Sequence, residues 1–191
     1  MRGKIWTISN MLSLSRIFLM APVIFFFMSP MSHAREYAAL FILLAVVTDA
    51  LDGYLARLLH QESEVGKVID PLADKVGVGI VVVLLCIFGD ISPWFAFLVL
   101  GRDALILFGG VYVRQRKGVI LPSNMPGKFA VSFVALTLVL ALLRYQIFST
   151  AEQISLWLST GLLVVSFLIY LKRFFATLKA PSVQRDQALT Q

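Results

Sequence analysis

Cysteine, histidine and charge are all scarce in this chain. It has 191 residues, of which one is Cys, two are His and 15% are charged. A single Cys86 in an apolar run excludes a disulfide framework and a cysteine-rich metal site. His33 and His60 stand apart, without the companions that imidazole metal ligation needs, so no chemistry is assigned to them. The low charge, set against 59% hydrophobic residues, excludes an ordinary soluble domain and fits one compact polytopic membrane bundle. Internal repeats and low-complexity segments are absent as well. The N-terminus, MRGKIWTISN, has no small-residue cleavage site after a short apolar core, and so does not resemble a removable signal peptide.

What is present is hydrophobic in long blocks. Six spans are expected, at residues 11–29, 37–58, 66–88, 93–113, 127–149 and 153–175. Each is near the ~20 residues a helix needs to cross a bilayer. Breaks fall at Ser29-Pro30-Met31-Ser32, at Gly89-Asp90 and at Leu121-Pro122-Ser123-Asn124. The expected architecture is all-α: six transmembrane helices preceded by a short interfacial segment in which Trp6 serves as a headgroup-level anchor. Residues 1–179 form a single membrane domain, and 180–191 (APSVQRDQALTQ) are expected to be a disordered tail. Phe25-Phe26-Phe27 are assigned to lipid contact or packing.

Basic residues give the orientation. Arg2, Lys4, Arg57, Lys67, Arg114, Arg116, Lys117, Lys128, Lys172, Arg173 and Lys179 fall on one side, Arg35 and Arg144 on the other. The positive-inside rule then puts both termini in the cytoplasm, most simply at a bacterial inner membrane. The formal charge of +6 needs no nucleic-acid partner, because basic cytoplasmic loops give the same sign.

Against this apolar background four acids stand out. Asp49, Asp52, Gly53 and Ala56 form an i, i+3, i+4, i+7 stripe ending at Arg57, and Gly66, Asp70 and Asp74 open the next span. Ionised groups in apolar spans are costly and point to function. Four carboxylates brought together would repel strongly unless a hard divalent cation joined them, and oxygen ligands suit Mg²⁺ or Mn²⁺. Gly53 and Ala56 leave room for a ligand, Gly66 permits close backbone approach, and Arg57 offers a fork suited to phosphate. Asp49 lies eight residues before Arg57, about 12 Å deep at ~1.5 Å per residue, within reach of a cytoplasmic cavity. Two alternatives compete with a metal site. Salt bridges to Arg57, Lys67 and Lys75 would leave acids in excess. A cation-coupled transporter would be expected to show inverted repeats and broken helices, which are not visible.

The run D-x-x-D-G-x-x-A-R-x(8)-G-x-x-x-D-x-x-x-D, from Asp49 to Asp74, matches the signature of the CDP-alcohol phosphatidyltransferases at every fixed position. Asn10-Met11-Leu12-Ser13-Leu14-Ser15-Arg16 also resembles the family's N-x-L-(S/T)-x-x-R entry to the first span. The resemblance covers most of the chain. It implies transfer of a phosphatidyl group from CDP-diacylglycerol to an alcohol, with release of CMP. It further implies a two-metal site on Asp49, Asp52, Asp70 and Asp74, with Asp74 also the base. Gly53, Ala56, Arg57 and Gly66 would then lie beside the CDP-lipid, and the enzyme would be a homodimer.

Asp70-Pro71-Leu72-Ala73-Asp74-Lys75 resembles the D-P-x-A-D-K form of the phosphatidylglycerophosphate and cardiolipin synthase branches. In that branch Arg102 and Lys128 resemble the basic residues of the acceptor site, and Lys75 is a candidate phosphate contact or a partner for Asp74 or Asp103. Two departures matter. Gly110 stands where a second arginine is often found, and the threonine expected after Gly127-Lys128 is missing, Ser132 being the nearest hydroxyl. Gly101-Arg102-Asp103 through Arg114 looks rather like cardiolipin synthases that use phosphatidylglycerol. Glycerol 3-phosphate is the favoured acceptor on family frequency, and phosphatidylglycerol is the alternative.

Overall fold

The computed structural model describes the backbone of residues 8–59, 66–119 and 124–179, and the side chains of 18–48, 75–119 and 124–179. The described chain is helical. Its elements are α1 (Ile8–Met28), α2 (Ala34–Leu59), α3 (Gly66–Ile87), α4 (Pro93–Lys117), α5 (Met125–Leu143), a 3₁₀ turn (Gln146–Phe148) and α6 (Ser149–Lys179). Among the described residues three helical stretches, 93–117, 125–143 and 146–179, are long and apolar enough to cross a membrane. Shorter apolar stretches occupy 18–28 and 75–87. The expected interfacial segment at residues 1–7 and the tail at 180–191 lie outside the described residues.

Several helix ends fall a few residues from the hydropathy blocks, and two of these differences have a clear physical reason. α4 continues to Lys117, because the charged run Arg114–Lys117 has good helix formers once outside the apolar zone. It stops at Gly118, whose φ of 67° is the left-handed conformation that a glycine adopts freely, with its N–H on the Arg114 carbonyl. The expected fifth span, 127–149, is instead two elements. α5 ends at Leu143, Arg144 turns the chain with φ 54°, and α6 begins at Ser149 rather than at 153. Ile147 and Phe148 carry the apolar run across this break, which hides it from hydropathy.

Two compact units divide the chain: residues 1–91 with 138–146, and residues 92–137 with 147–191. In the first, α1 packs on both α2 and α3. Phe26 stacks on Phe41 at 5.7 Å and lies 5.3 Å from Tyr37, and Phe27 meets Phe88 at 5.7 Å. The Phe triplet divides accordingly, since Phe27 is buried while Phe25 is exposed. Val23, Ala38, Val82, Leu85 and Leu142 of this unit are fully buried.

The far end of this unit carries an ionic cluster. Asp90, with no exposed side-chain surface, lies 2.9 Å from Arg35 Nη1 and 2.6 Å from Arg144 Nε. Neither contact has hydrogen-bond alignment, so the two arginines neutralise the carboxylate as ion pairs. Arg35 also donates to the Leu142 carbonyl at 3.3 Å, satisfying one of the free carbonyls at the end of α5. The two arginines that the charge pattern puts on the same side thus meet at one carboxylate.

In the second unit α4 packs on α6. Trp94 stacks on Trp157 at 6.1 Å, Tyr170 donates to the Ile106 carbonyl at 3.1 Å, and Tyr112 meets Phe174 at 6.4 Å. Partners keep a nearly constant separation in sequence, so α4 and α6 run parallel. α5 is tied to α6 by hydroxyls: Thr137 and Ser155 share a 2.8 Å hydrogen bond, and Ser155 donates to the Phe133 carbonyl at 3.1 Å. Such side-chain bonds are typical glue between helices where water cannot compete.

Candidate active site

The first unit holds the acidic motif on continuous helix. Asp49, Asp52, Gly53, Ala56 and Arg57 belong to the C-terminal part of α2, and Gly66, Asp70 and Asp74 to the beginning of α3. In unbroken helix the i, i+3 and i, i+4 spacings place each pair of acids on one face. The side chains of these eight residues lie outside the described residues, as does the connecting segment 60–65. Among the described residues no cluster of three or more His, Cys, Asp or Glu forms, and the four aspartates are not among them. As a donor set, four carboxylates offer only hard oxygen ligands, which fit Mg²⁺ or Mn²⁺ and would not favour a thiolate- or imidazole-seeking ion. Lys75, one residue beyond the motif, is half-buried.

The second unit holds two of the basic residues expected to face an acceptor, Arg102 and Lys128. Arg102 lies within α4, and its side chain is only 10% exposed. Its Nη1 is 2.6 Å from the Asp103 carboxylate, and its Nη2 donates to Ser166 Oγ on α6 at 2.8 Å. Its Nε, also buried, has no hydrogen-bond partner among the described residues. Asp103 adjoins Arg102 in the chain, so that pairing is legible in sequence. The bond to Ser166, 64 residues away, is not.

Ser166 is fully buried and passes the interaction on. Its hydroxyl donates to Asn124 Oδ1 at 2.9 Å, and Asn124 Nδ2 donates to the Ser166 carbonyl at 3.0 Å. Asn124 Oδ1 also accepts the Gly127 N–H at 2.7 Å. This last bond is an N-cap: Asn124 precedes α5 and satisfies a free amide of its first turn. Asn followed by Pro126 in the first helical turn is a sequence signal for such a cap, but its link to α6 leaves no such signal. Lys128 follows directly and is exposed, with its own N–H on the Asn124 carbonyl at 3.3 Å.

Gly127 has a steric reason to be glycine. A Cβ there would lie 2.6 Å from Asn124 Oδ1, 2.8 Å from Ser166 Oγ and 3.2 Å from Arg102 Nη2. The two departures from the branch pattern have plain structural counterparts. Ser132, in place of the threonine, donates to the Lys128 carbonyl at 3.3 Å within its own helix. At Gly110 a Cβ would reach only ordinary contact, 4.0 Å from the Tyr170 hydroxyl.

The family model for CDP-alcohol phosphatidyltransferases matches residues 6–185, nearly the whole chain. This chain belongs to the CDP-alcohol phosphatidyltransferase family. Among its relatives is the Aquifex aeolicus protein named CDP-diacylglycerol–glycerol-3-phosphate 3-phosphatidyltransferase. It is 37% identical over 133 residues, covering 69% of this chain and 72% of that protein. A Mycoplasma pneumoniae protein of the same name is 30% identical over 212 residues, covering 92% of each. A Schizosaccharomyces pombe fusion protein, named cardiolipin synthase (CMP-forming) / mitochondrial hydrolase, is 32% identical over 179 residues. That match covers 92% of this chain and 28% of the fusion protein. Membership agrees with the resemblance carried by the Asp49–Asp74 motif and with the apolar helices of a membrane-bound transferase.

Proposed function

We propose that this membrane protein transfers the phosphatidyl group of CDP-diacylglycerol to glycerol 3-phosphate, forming phosphatidylglycerophosphate and releasing CMP. The observation that carries the reading is the complete acidic motif, set on α2 and α3 of a chain that belongs to the family. The acceptor is taken from the relatives named for glycerol 3-phosphate, one of which aligns along 92% of both chains.

In this reading Asp49, Asp52, Asp70 and Asp74 hold two divalent cations, Mg²⁺ or Mn²⁺. Bound there, the cations would neutralise the diphosphate and stabilise the departing CMP. Arg57 adds a bidentate phosphate contact, while Gly53, Ala56 and Gly66 leave space for the cytidine diphosphate. Asp74 takes the proton of the acceptor hydroxyl. That oxygen then bonds to the phosphorus of the phosphatidyl group, and the bond to CMP breaks. Arg102, Lys128 and Lys75 hold the acceptor's phosphate. The positive-inside pattern puts this chemistry and both termini at the cytoplasmic face, and the enzyme works as a homodimer.

A specific observation favours a second reading, in which phosphatidylglycerol is the acceptor and cardiolipin the product. Gly110 supplies no second arginine, and several relatives, the Schizosaccharomyces pombe fusion protein among them, are named for cardiolipin synthase. Purified protein given CDP-diacylglycerol, Mg²⁺ and either acceptor decides between them by the lipid formed. Phosphatidylglycerophosphate is expected. Cardiolipin alone would replace the acceptor and leave the reaction class intact. CMP formed with neither acceptor would overturn both readings.

A further inference from the structure

A polar chain runs from Arg102 through Ser166 to Asn124 and the first turn of α5. It lies wholly within the second unit, and Ser166 at its centre is fully buried. Each hydrogen bond in it has a defined donor. Arg102 Nη2 donates to Ser166 Oγ, Ser166 Oγ donates to Asn124 Oδ1, and Gly127 N–H donates to that same oxygen from the other side. Asn124 Nδ2 returns a bond to the Ser166 carbonyl, which fixes which way the amide faces. Chains of this kind polarise each member and hold a unique geometry.

Two features show what the geometry is for. The guanidinium is fixed on both terminal nitrogens, by Asp103 and by Ser166, while its buried Nε has no hydrogen-bond partner among the described residues. A donor of this kind is held in place and still has hydrogen-bonding capacity to give. Asn124 also caps the turn from which Lys128 projects, so one amide side chain sets both the guanidinium and the start of the lysine's helix.

We infer that Ser166 and Asn124 are positioning residues for acceptor use: they orient Arg102, and Asn124 places the Lys128 turn in register with it. The inference rests on the proposed role of Arg102 and Lys128 toward the acceptor's phosphate. It adds two uncharged residues, one on α6 and one before α5, that touch no substrate and act through the cations.

A double-mutant cycle tests it, with KM for glycerol 3-phosphate and KM for CDP-diacylglycerol measured separately on the full-length protein in lipid-containing micelles. Ser166→Ala and Asn124→Ala should each raise the glycerol 3-phosphate KM about 3- to 30-fold, as loss of one or two oriented hydrogen bonds does. The CDP-diacylglycerol KM and kcat should change less than about 2-fold, the pattern of lost uniform binding. Ser166→Thr, which keeps the hydroxyl, should lie nearer the parent. Added to Arg102→Ala, Ser166→Ala should have no further effect, because residues acting through one another are not additive. Thr160→Ala, whose hydroxyl donates to the Leu156 carbonyl of its own helix, should leave both KM values unchanged. Melting temperatures without ligand identify folded variants, and Asn124→Ala carries the same expectation should Ser166→Ala not fold. The inference is overturned if Arg102→Ala raises the acceptor KM while both alanine variants leave it alone, or if the effects of Ser166→Ala and Arg102→Ala add. If Arg102→Ala itself leaves the acceptor KM unchanged, the proposed role of Arg102 fails and this inference fails with it.

Discussion

Nε of Arg144 lies 2.6 Å from Oδ1 of Asp90, a carboxylate with no exposed surface. The arginine reaches it from a left-handed backbone, φ 54°, that a non-glycine residue adopts at a cost of roughly 1–2 kcal/mol. Arg35 neutralises the second oxygen from the start of α2. Three chain segments, the start of α2, the α3–α4 connection and the end of α5, are therefore tied at one buried charge.

Removing both cations should leave that charge stranded. Breaking a buried pair costs about 3–5 kcal/mol, because the remaining ion keeps its desolvation penalty. The double variant Arg35→Met/Arg144→Met should melt well below the parent in detergent, and adding Asp90→Leu should recover much of the loss. Arg144→Ala alone should cost less, since Arg35 remains and the Arg144 side chain is 56% exposed. A double variant that melts with the parent would show the cluster to be energetically idle.

Gly127→Ala offers a steric test of the second unit's polar chain. The added methyl would fall 2.6 Å from Asn124 Oδ1 and 2.8 Å from Ser166 Oγ, both ends of short side chains held by hydrogen bonds. Overpacking of this kind costs roughly 1–3 kcal/mol. The variant should lose thermal stability and should weaken use of the acceptor. A parent-like melting temperature would mean that the network yields without penalty.

Glu36 and Tyr145 link stability to pH. Hydrogen bonding to backbone, and then the bond from the Tyr145 hydroxyl at 3.1 Å, hold the Glu36 carboxyl below its usual range, and the same bond raises the Tyr145 hydroxyl above its own. A lowered carboxyl favours the fold above the unfolded pKa and loses that contribution as pH falls through the folded value. A raised phenol favours the fold below its unfolded pKa and loses it as pH rises through the folded value. The pair thus contributes across neutral pH and fades at both ends. Tyr145→Phe should lower the melting temperature slightly near pH 7 and converge on the parent in acid and in strong alkali. Both groups are exposed, so the effect is small, and a difference constant across pH would assign it to packing.

The helices and the motif are legible in sequence because each rests on local pattern. Hydropathy blocks mark all six α-helices among the described residues, and the acids between Asp49 and Asp74 declare themselves by spacing alone. What escapes is tertiary. The end of α5 at Leu143 is set by Arg144 turning to meet Asp90, an acid that in sequence marks only a break between spans. The apolar Ile147-Phe148 hides the interruption. Arg102 stands out as a cation deep in an apolar span, but its partner Ser166 is a small hydroxyl in an apolar helix. Nothing near it in sequence separates it from Ser155, which bonds α5 to α6.

The metal reading makes a direct demand. If four carboxylates share a site with divalent cations, chelation should abolish CMP release, and Mg²⁺ or Mn²⁺ should restore it. Asp49→Asn or Asp70→Asn should each lower the rate by orders of magnitude, since metal clamping of phosphates supplies several kcal/mol. Undiminished turnover in excess chelator would end the proposal and return the acids to salt bridges with Arg57, Lys67 and Lys75.

The acceptor reading makes a different one. Arg102→Ala and Lys128→Ala should mainly raise KM for glycerol 3-phosphate. A hydrogen bond to a charged group contributes roughly 1.5–3 kcal/mol, so each change should cost about 10- to 150-fold. Arg102 is nearly enclosed and pre-oriented by Asp103 and Ser166, whereas Lys128 is exposed, so the larger effect belongs to Arg102. KM for CDP-diacylglycerol should move little, because its diphosphate is assigned to the acidic motif and Arg57. Phosphatidylglycerol also carries a phosphate, so the kinetics must be read beside the identity of the lipid made. An effect confined to the CDP-lipid would show that both cations had been assigned to the wrong substrate. Arg102 would then be left as a structural partner of Asp103 and Ser166.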